Sequence, residues 1–406
     1  MRLETFLSRY IRLGDLEVIL PGGRRIKAGD GSPPSVCVAI NDRLTVARII
    51  ANRSLGLGEA WMDERIRFEK GSIRDLLQIG MRNVSILPDG HAPRALGRWW
   101  SRILRERNAR RTARANAHHH YDLSLDLYRR FLDEDLQYSC AYFERPGLSI
   151  DEAQAAKKRH IAAKLLLCEG QKVLDIGCGW GGLAISLARW AGVKVDGITL
   201  ADEQLATARS RAEKAGLGAK LSFSLTDYRD VVGPYDRIVS VGMFEHVGRP
   251  NYQTYFDGVA RLLKDDGVAL IHAIGRKEGP SATDAFTAKY IFPGGYIPAL
   301  SEVIPCVERA GLMICDIEIL RLHYAETLKA WSERFAANRA AIAKLYDERF
   351  CRMWEYYLAG AEMGFRFGGH MVWQLQLAKR HGVVPITRGY IAEGERAYAR
   401  GPREVA

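Results

Sequence analysis

Residues 173–182 read VLDIGCGWGG: a short apolar run carrying Asp175, then glycines at 177, 179, 181 and 182. Glycines at that spacing allow a tight turn and let the backbone approach a ligand closely. Taken alone, the loop suits a nicotinamide cofactor equally well. Three features favour S-adenosylmethionine. Asp175 enters the loop where a carboxylate can meet an ammonium group, although such an acid can also simply cap a turn. The fourth-strand segment of the pattern carries MFEHVG (243–248), beside the reaction centre of a doubly wound sheet. TDYRD (226–230) sets Asp227 and Tyr228 at the end of the third strand, an acid for an adenine amino group and a ring for the adenine face. An acid for the ribose hydroxyls is expected roughly twenty residues after the loop. Thr199 and Leu200 stand there instead, so Gln204 is the substitute. The candidate cofactor residues are Asp175, Gly177, Gly179, Gly181, Thr199, Leu200, Gln204, Asp227 and Tyr228.

A second group bears on proton transfer. Glu245 lies in MFEHVG and His272 in GVALIHAIG (267–275). Neighbouring strands would bring the carboxyl and the imidazole side by side, within reach of one another for acid–base work. A histidine satisfied at a strand end is the plainer alternative. YSCAYF (138–143) precedes the glycine loop, and its residues alone leave Cys140 as either a small buried side chain or a reactive thiol. His118, His119 and His120 have no acidic or cysteine partner at ligand spacing. They read as loop residues, with no metal.

The elements that must position these groups follow from periodicity. Residues 1–90 mix strand-like LEVIL and PSVCVAI with helical SLGLGEAWMD (54–63) and SIRDLLQIG (72–80), a small α+β accessory domain. PDGHAP (88–93) reads as a linker, and 91–120 as a basic linker helix. The catalytic domain is expected over 121–406, with a helical insertion covering the substrate. There, strands KVLDIG, VKVDGITL, KLSFSLTDY, DRIVSVGMFEHV and GVALIHAIG alternate with helices, which implies a parallel sheet with right-handed crossovers.

Composition limits the function classes. The 406 residues carry a formal charge of +11 and a pI of about 9.3, so an anionic partner is expected. Eight arginines from Arg94 to Arg114 face a single acid, Glu106, and interleave with Trp99, Trp100, Ile103 and Leu104. Such a segment can lie on an anionic bilayer, or be a solvated helix packed on its own protein. The seven cysteines form no CxxC pair, no secretory leader opens the chain, and no apolar run reaches membrane-spanning length. A cytoplasmic, peripherally membrane-associated protein with reduced thiols is expected.

SLGLGEAWMD, HYDLSLDLYRRFLD, QYSCAYF, VLDIGCGWGG, YDRIVSVGMFEHVG, NYQTYF, KYIFPGGYIP and LHYAETLKAW occur in that order from about residue 50 onward. In these strings the chain resembles the bacterial cyclopropane-fatty-acid synthases and the related mycolic acid cyclopropane synthases. The resemblance implies a Rossmann-like class I methyltransferase, doubly wound, with a small α+β N-terminal domain. It implies transfer of a methylene from S-adenosylmethionine to the cis double bond of an unsaturated phospholipid acyl chain, and a homodimer. It also implies that Tyr138 and Ser139 line the cofactor site. Bicarbonate would be held by Cys140, Glu245, His272, the backbone of Ile274 and Tyr324, so the thiol would be no nucleophile. Tyr142, Phe244, Tyr290, Phe292, Tyr296, Trp331 and Phe335 are candidates for an aromatic slot around a carbocation. Ala361 stands where related enzymes often have a cysteine. Plant alkaloid N-methyltransferases resemble the catalytic domain too, which makes a soluble amine the rival substrate. A nucleic-acid methyltransferase is disfavoured because GMFEHVG replaces the N/D-P-P-Y/F motif. A lipid-binding protein without turnover and a methyl-branching enzyme are the other readings.

Overall fold

The computed structural model describes residues 3–86 and 123–400. The linker, the arginine-rich segment and the three consecutive histidines lie outside the described residues. Two compact units emerge. One joins Met1–Trp99, Ala282–Pro293 and Ala325–His370; the other joins Trp100–Ser281, Gly294–Tyr324 and Met371–Ala406.

In the first unit, β1 (Asp15–Ile19), β2 (Arg25–Ala28), β3 (Ser35–Ile40) and β4 (Ile66–Lys70) form a sheet in the order β2-β1-β3-β4. β1 runs antiparallel to β2 and parallel to β3. Helices α1 (Leu3–Tyr10), α2 (Arg43–Ala51), α3 (Arg53–Met62) and α4 (Ile73–Ser85) accompany it. Asp42, Asn52 and Ser72 start α2, α3 and α4 by accepting backbone N–H groups that have no partner within their helices. A helix from late in the chain, Glu348–Arg366, belongs to the same unit. Its Glu362 is fully buried and takes a bidentate pair from Arg74 of α4, with N···O distances of 3.0 and 2.7 Å, plus Arg366 at 2.7 Å.

The second unit holds seven strands. These are β5 (Lys172–Ile176), β6 (Lys194–Thr199), β7 (Leu221–Leu225), β8 (Tyr235–Val241), β9 (Leu263–Arg276), β10 (Met313–Leu320) and β11 (His370–Ala378), in the order β10-β11-β9-β8-β5-β6-β7. β5 to β9 pair in parallel, and β10 and β11 are antiparallel. Alternation along β5 shows why both faces are covered. Leu174 and Ile176 join a core with the helices Tyr252–Leu262 and Leu300–Arg309. Val173 joins a second core with Ile150–Lys164, Gly182–Ala191 and Asp202–Lys214. This is the expected doubly wound Rossmann-like sheet. Strand order reverses between β5 and its neighbours β6 and β8, which is where such sheets bind ligands.

The antiparallel pair β10–β11 is not legible as part of an all-parallel pattern. The fourth strand also ends earlier than its apolar run suggests. Gly242, at φ +66°, stops β8, and Phe244–His246 forms a single 3-10 turn. Glu245 therefore projects from a turn rather than from a strand beside β9. Likewise the third strand ends at Leu225, and Tyr228–Asp230 is a 3-10 turn capped by Asp227. No helix among the described residues is long and apolar enough to cross a membrane.

Candidate active site

The glycine loop leaves β5 at the switch point. Gly177 and Cys178 both give their N–H groups to the carbonyl of Ile198, at 2.9 and 3.0 Å, which ties the loop to β6. Gly177, Gly179 and Gly181 all have positive φ (84°, 53° and 80°). A Cβ on Gly177 would lie 2.8 Å from the Met243 side chain, so glycine is required sterically as well. A Cβ on Gly179 would meet nothing within 4 Å; the loop is open there to a ligand.

Asp175 is buried, and its Oδ2 has no hydrogen-bond partner. Burial pushes its carboxyl up to about 7, against the opposing pull of the Lys157 ammonium. An orphaned acceptor beside an open glycine loop fits the ammonium end of S-adenosylmethionine. Thr199 and Gln204 are joined at the end of β6: the Thr199 hydroxyl donates to Gln204 Oε1 at 2.9 Å and accepts Ala201 N–H at 3.2 Å. This leaves the Gln204 N–H2 end as the group with donors to spare. Leu200 between them is half-buried. Asp227 spends both oxygens on Arg229, whose Nε and Nη2 donate at 2.8 and 2.6 Å. Any adenine contact must share that pair. Tyr228 packs edge-on against Tyr255, ring centroids 5.3 Å apart, and burial lifts its phenol to about 12.

The YSC segment reaches the same region. An added Cβ on Gly242 would lie 3.8 Å from Ser139 Cβ, while Gly242 N–H donates to the His272 carbonyl at 2.9 Å. Tyr138 packs edge-on against Tyr128 and Phe131. Cys140 is buried, and its thiol donates to the Ala141 carbonyl at 3.3 Å. Glu245 Oε1 accepts Ile274 N–H at 2.6 Å, and its buried Oε2 has no partner. Burial raises this carboxyl to about 7. The backbone N–H of Ile274 is thus given to Glu245. His272 Nδ1 lies 3.1 Å from Gln374 Nε2, and burial holds the imidazole well below its ordinary range, hence neutral. Tyr324 is buried in the first turn of the helix His323–Leu345.

Two aromatic candidates are committed elsewhere. Phe244 is fully buried in the core against Tyr252, Tyr255, Phe256 and Trp373. Tyr142 is stacked on His160 and His323. In the first unit, the Tyr290 hydroxyl donates to Glu59 and Trp331 and Phe335 are buried. Sequence reasoning passed over Lys157, Lys164 and Gln374. Both lysines are fully buried seven residues apart on one helix. Lys157 donates to Gln137 Oε1 and Ser139 Oγ at 2.8 Å each, and Lys164 donates to Gln374 Oε1 at 2.9 Å. The sequence-level signals were paired lysines in an alanine-rich helix and glutamines inside the apolar strand VWQLQLA.

A family model described as mycolic acid cyclopropane synthetase matches residues 108–375, and a separate domain of unknown function matches residues 3–87. The cyclopropane-fatty-acyl-phospholipid synthase of Escherichia coli K12 is 40% identical over 334 residues, covering 82% of this chain and 85% of that one. The tuberculostearic acid methyltransferase UfaA1 of Mycobacterium tuberculosis is 37% identical, covering 90% and 88%. Among solved structures, mycolic acid cyclopropane synthase CmaA1 complexed with SAH and CTAB superposes with a TM-score of 0.62 at 35% identity, covering 65% of this chain and 97% of that one. Coclaurine N-methyltransferase, at 20% identity and TM-score 0.63, shares the fold alone. A glycine loop at the switch point, an orphaned Asp175 carboxylate and a family match over most of the chain lead to one conclusion: the protein is an S-adenosylmethionine-dependent class I methyltransferase of the mycolic acid cyclopropane synthetase family.

Proposed function

We propose that this enzyme adds a methylene from S-adenosylmethionine across the cis double bond of an unsaturated phospholipid acyl chain, closing a cyclopropane ring. The observation that carries the reading is the buried, half-satisfied Glu245, tied to the backbone of Ile274 two residues along β9 from the neutral His272, which suits the two to holding a small anion. When bound, S-adenosylmethionine supplies the electrophilic methyl group and bicarbonate the base for ring closure. Asp175 holds the cofactor ammonium, Tyr138 and Ser139 line its sulfonium end, and Gln204 meets the ribose. Asp227 and Tyr228 meet the adenine. An alkene is a weak nucleophile, so these residues act by positioning. With the cofactor so held, its methyl carbon would bond to one alkene carbon as the C–S bond breaks and sulfur keeps the pair, leaving the other alkene carbon cationic. Loss of a proton from that methyl, with its electron pair forming the second C–C bond, balances the reaction. His272 and Tyr324 would donate to a bound anion, the backbone at Cys140 would steady it and Glu245 Oε2 would accept its hydroxyl proton, while the Ile274 N–H, already given to Glu245 Oε1, holds that carboxyl in place. Two like charges in a dry slot repel, and the raised Glu245 carboxyl fits a shared proton.

Lipids extracted from cells expressing the protein test this reading. Gain of one methylene with loss of olefinic proton signals marks cyclopropanation. Simple methyl branching is the second reading, favoured by the methyltransferase relatives that match 90% of the chain. It predicts the same mass gain without ring-methylene signals. Retained unsaturation and mass would refute both.

The Asp175 assignment has its own pH signature. Only the carboxylate attracts an ammonium group, and the carboxyl is pushed up to about 7. Affinity for S-adenosylhomocysteine should be highest just above pH 7, where the carboxylate meets a still-protonated amine, and fall below it until it reaches the value for a neutral side chain. Asp175→Asn should lose this slope and bind more weakly by about 1–3 kcal/mol. A flat calorimetric profile for the wild type would remove Asp175 from the site.

Docking on an anionic membrane surface rests on the residues of 94–114. Sedimentation with anionic liposomes should fall as salt screens exposed charge over about 10 Å at 0.1 M. Equal binding to neutral liposomes would count against it.

A further inference from the structure

The fully buried Lys164 ends the helix Ile150–Lys164 and reaches β11. Its ammonium donates to Gln374 Oε1 at 2.9 Å and to Glu318, with Asp316 at 3.5 Å. An ammonium has donors only, so the amide of Gln374 must turn its oxygen toward Lys164. The amide N–H2 therefore points the other way, to His272 Nδ1 at 3.1 Å. An amide nitrogen also has donors only. Nδ1 of His272 must then offer its lone pair, and the single proton of the neutral ring sits on Nε2. That nitrogen has no hydrogen-bond partner among the described residues.

We propose that Lys164 and Gln374 are positioning residues that lock His272 in the Nε2–H tautomer, so that its free edge can only donate to the anion bound at the site. The inference rests on the reading of His272 as part of that site, and it adds the residues that set its polarity. The other tautomer would turn a lone pair toward the anion, replacing attraction by repulsion. Partners behind a functional histidine ordinarily fix its tautomer in this way. Here the partner is itself oriented by a buried cation. Lys164 cannot swing aside. Glu318, which it contacts, also pairs with His160 Nε2 at 2.8 Å, and His160 Nδ1 meets Glu395 at 2.6 Å. The charged groups acting on the imidazole are Lys157, Lys164 and His160, which oppose a second proton, and Glu318, which favours one. Gln374 is fully buried between Trp373 and Leu375, so water does not compete for its amide.

The tautomer is read directly by nitrogen NMR of the full-length protein with labelled histidine, the signal assigned by its loss in His272→Asn. Wild type should show an unprotonated Nδ1 and a protonated Nε2 from about pH 5 to 8. Gln374→Glu keeps the shape but places an acceptor at Nδ1, which draws the proton there and leaves a lone pair on Nε2. Its turnover at neutral pH should fall about 100-fold, the cost of losing one preorganised donor, with cofactor affinity unchanged. It should recover as the pH is lowered, because the carboxylate favours a second proton and imidazolium regains Nε2–H. Gln374→Met, with no acceptor, should show a loss without that recovery. Protonated Nδ1 in the wild type overturns the proposal without any variant having to fold. So does a Gln374→Glu loss that is the same at every pH. Wild-type turnover in His272→Asn, with Nε2–H intact in the parent protein, would instead overturn the assignment of His272 to the site.

Discussion

Glu245→Gln should lower turnover by about 100- to 1,000-fold and leave S-adenosylhomocysteine affinity unchanged. The substitution is nearly isosteric, and its amide oxygen can still accept Ile274 N–H where Oε1 now does so at 2.6 Å. What changes is the other arm. Oε2 is a buried acceptor with no protein partner, and glutamine puts a donor in its place. A group that must accept the hydroxyl of a bound anion is then converted into one that cannot. The expected size is that of removing one preorganised electrostatic contact. Such a contact matters in the transition state, so the loss falls on kcat rather than on cofactor binding. Cys140→Ser is the matched control. The thiol donates to the neighbouring Ala141 carbonyl, which a hydroxyl can also do, so most of the activity should remain. Equal inactivation of Cys140→Ser and Glu245→Gln in steady-state assays would make the thiol the reacting group.

Glu362→Ala should destabilise the first unit by about 3 kcal/mol. Breaking one side of a buried ion pair typically costs about 3–5 kcal/mol, because the remaining charge is left without compensation. Glu362 is completely buried, yet the side chain of Arg74 keeps 40% exposure and can turn to water, which argues for the lower end. Arg366 falls back on Glu326 at 2.9 Å. Denaturant melts of the alanine and glutamine variants measure this. A shift below 1 kcal/mol for Glu362→Ala would mean that the bidentate geometry contributes little.

Much of the sheet was legible because its strands carry buried apolar runs and its helices begin and end near recognisable residues. The helix Gly182–Ala191 is framed by glycines, since the last loop glycine starts it and Gly192 closes it. Boundaries failed where a single glycine overrode an apolar run. Gly242 turns the chain after Val241, although Met243, Phe244 and Val247 continue the hydrophobic pattern. The glycine loop and Asp175 were legible from spacing. The link from Lys164 through Gln374 to His272 was not. It joins residues 210 and 102 positions apart and depends on side chains whose polarity is set by one another. Phe244 failed as a slot residue for a related reason: a sequence shows that a ring is present, not which face of a sheet claims it.

The arginine clamp joins Arg74 to a residue 288 positions later. At a synthesis rate of about 5–20 residues per second, the ribosome needs on the order of 15–60 s to deliver Glu362 after Arg74 has been made. During that interval the early strands and helices can form, but the face of α4 that receives the late helix has no cover. That face stays open to water until the helix Glu348–Arg366 clears the exit tunnel. A stall late in the message would leave a finished early sheet lacking the last helix of its own unit.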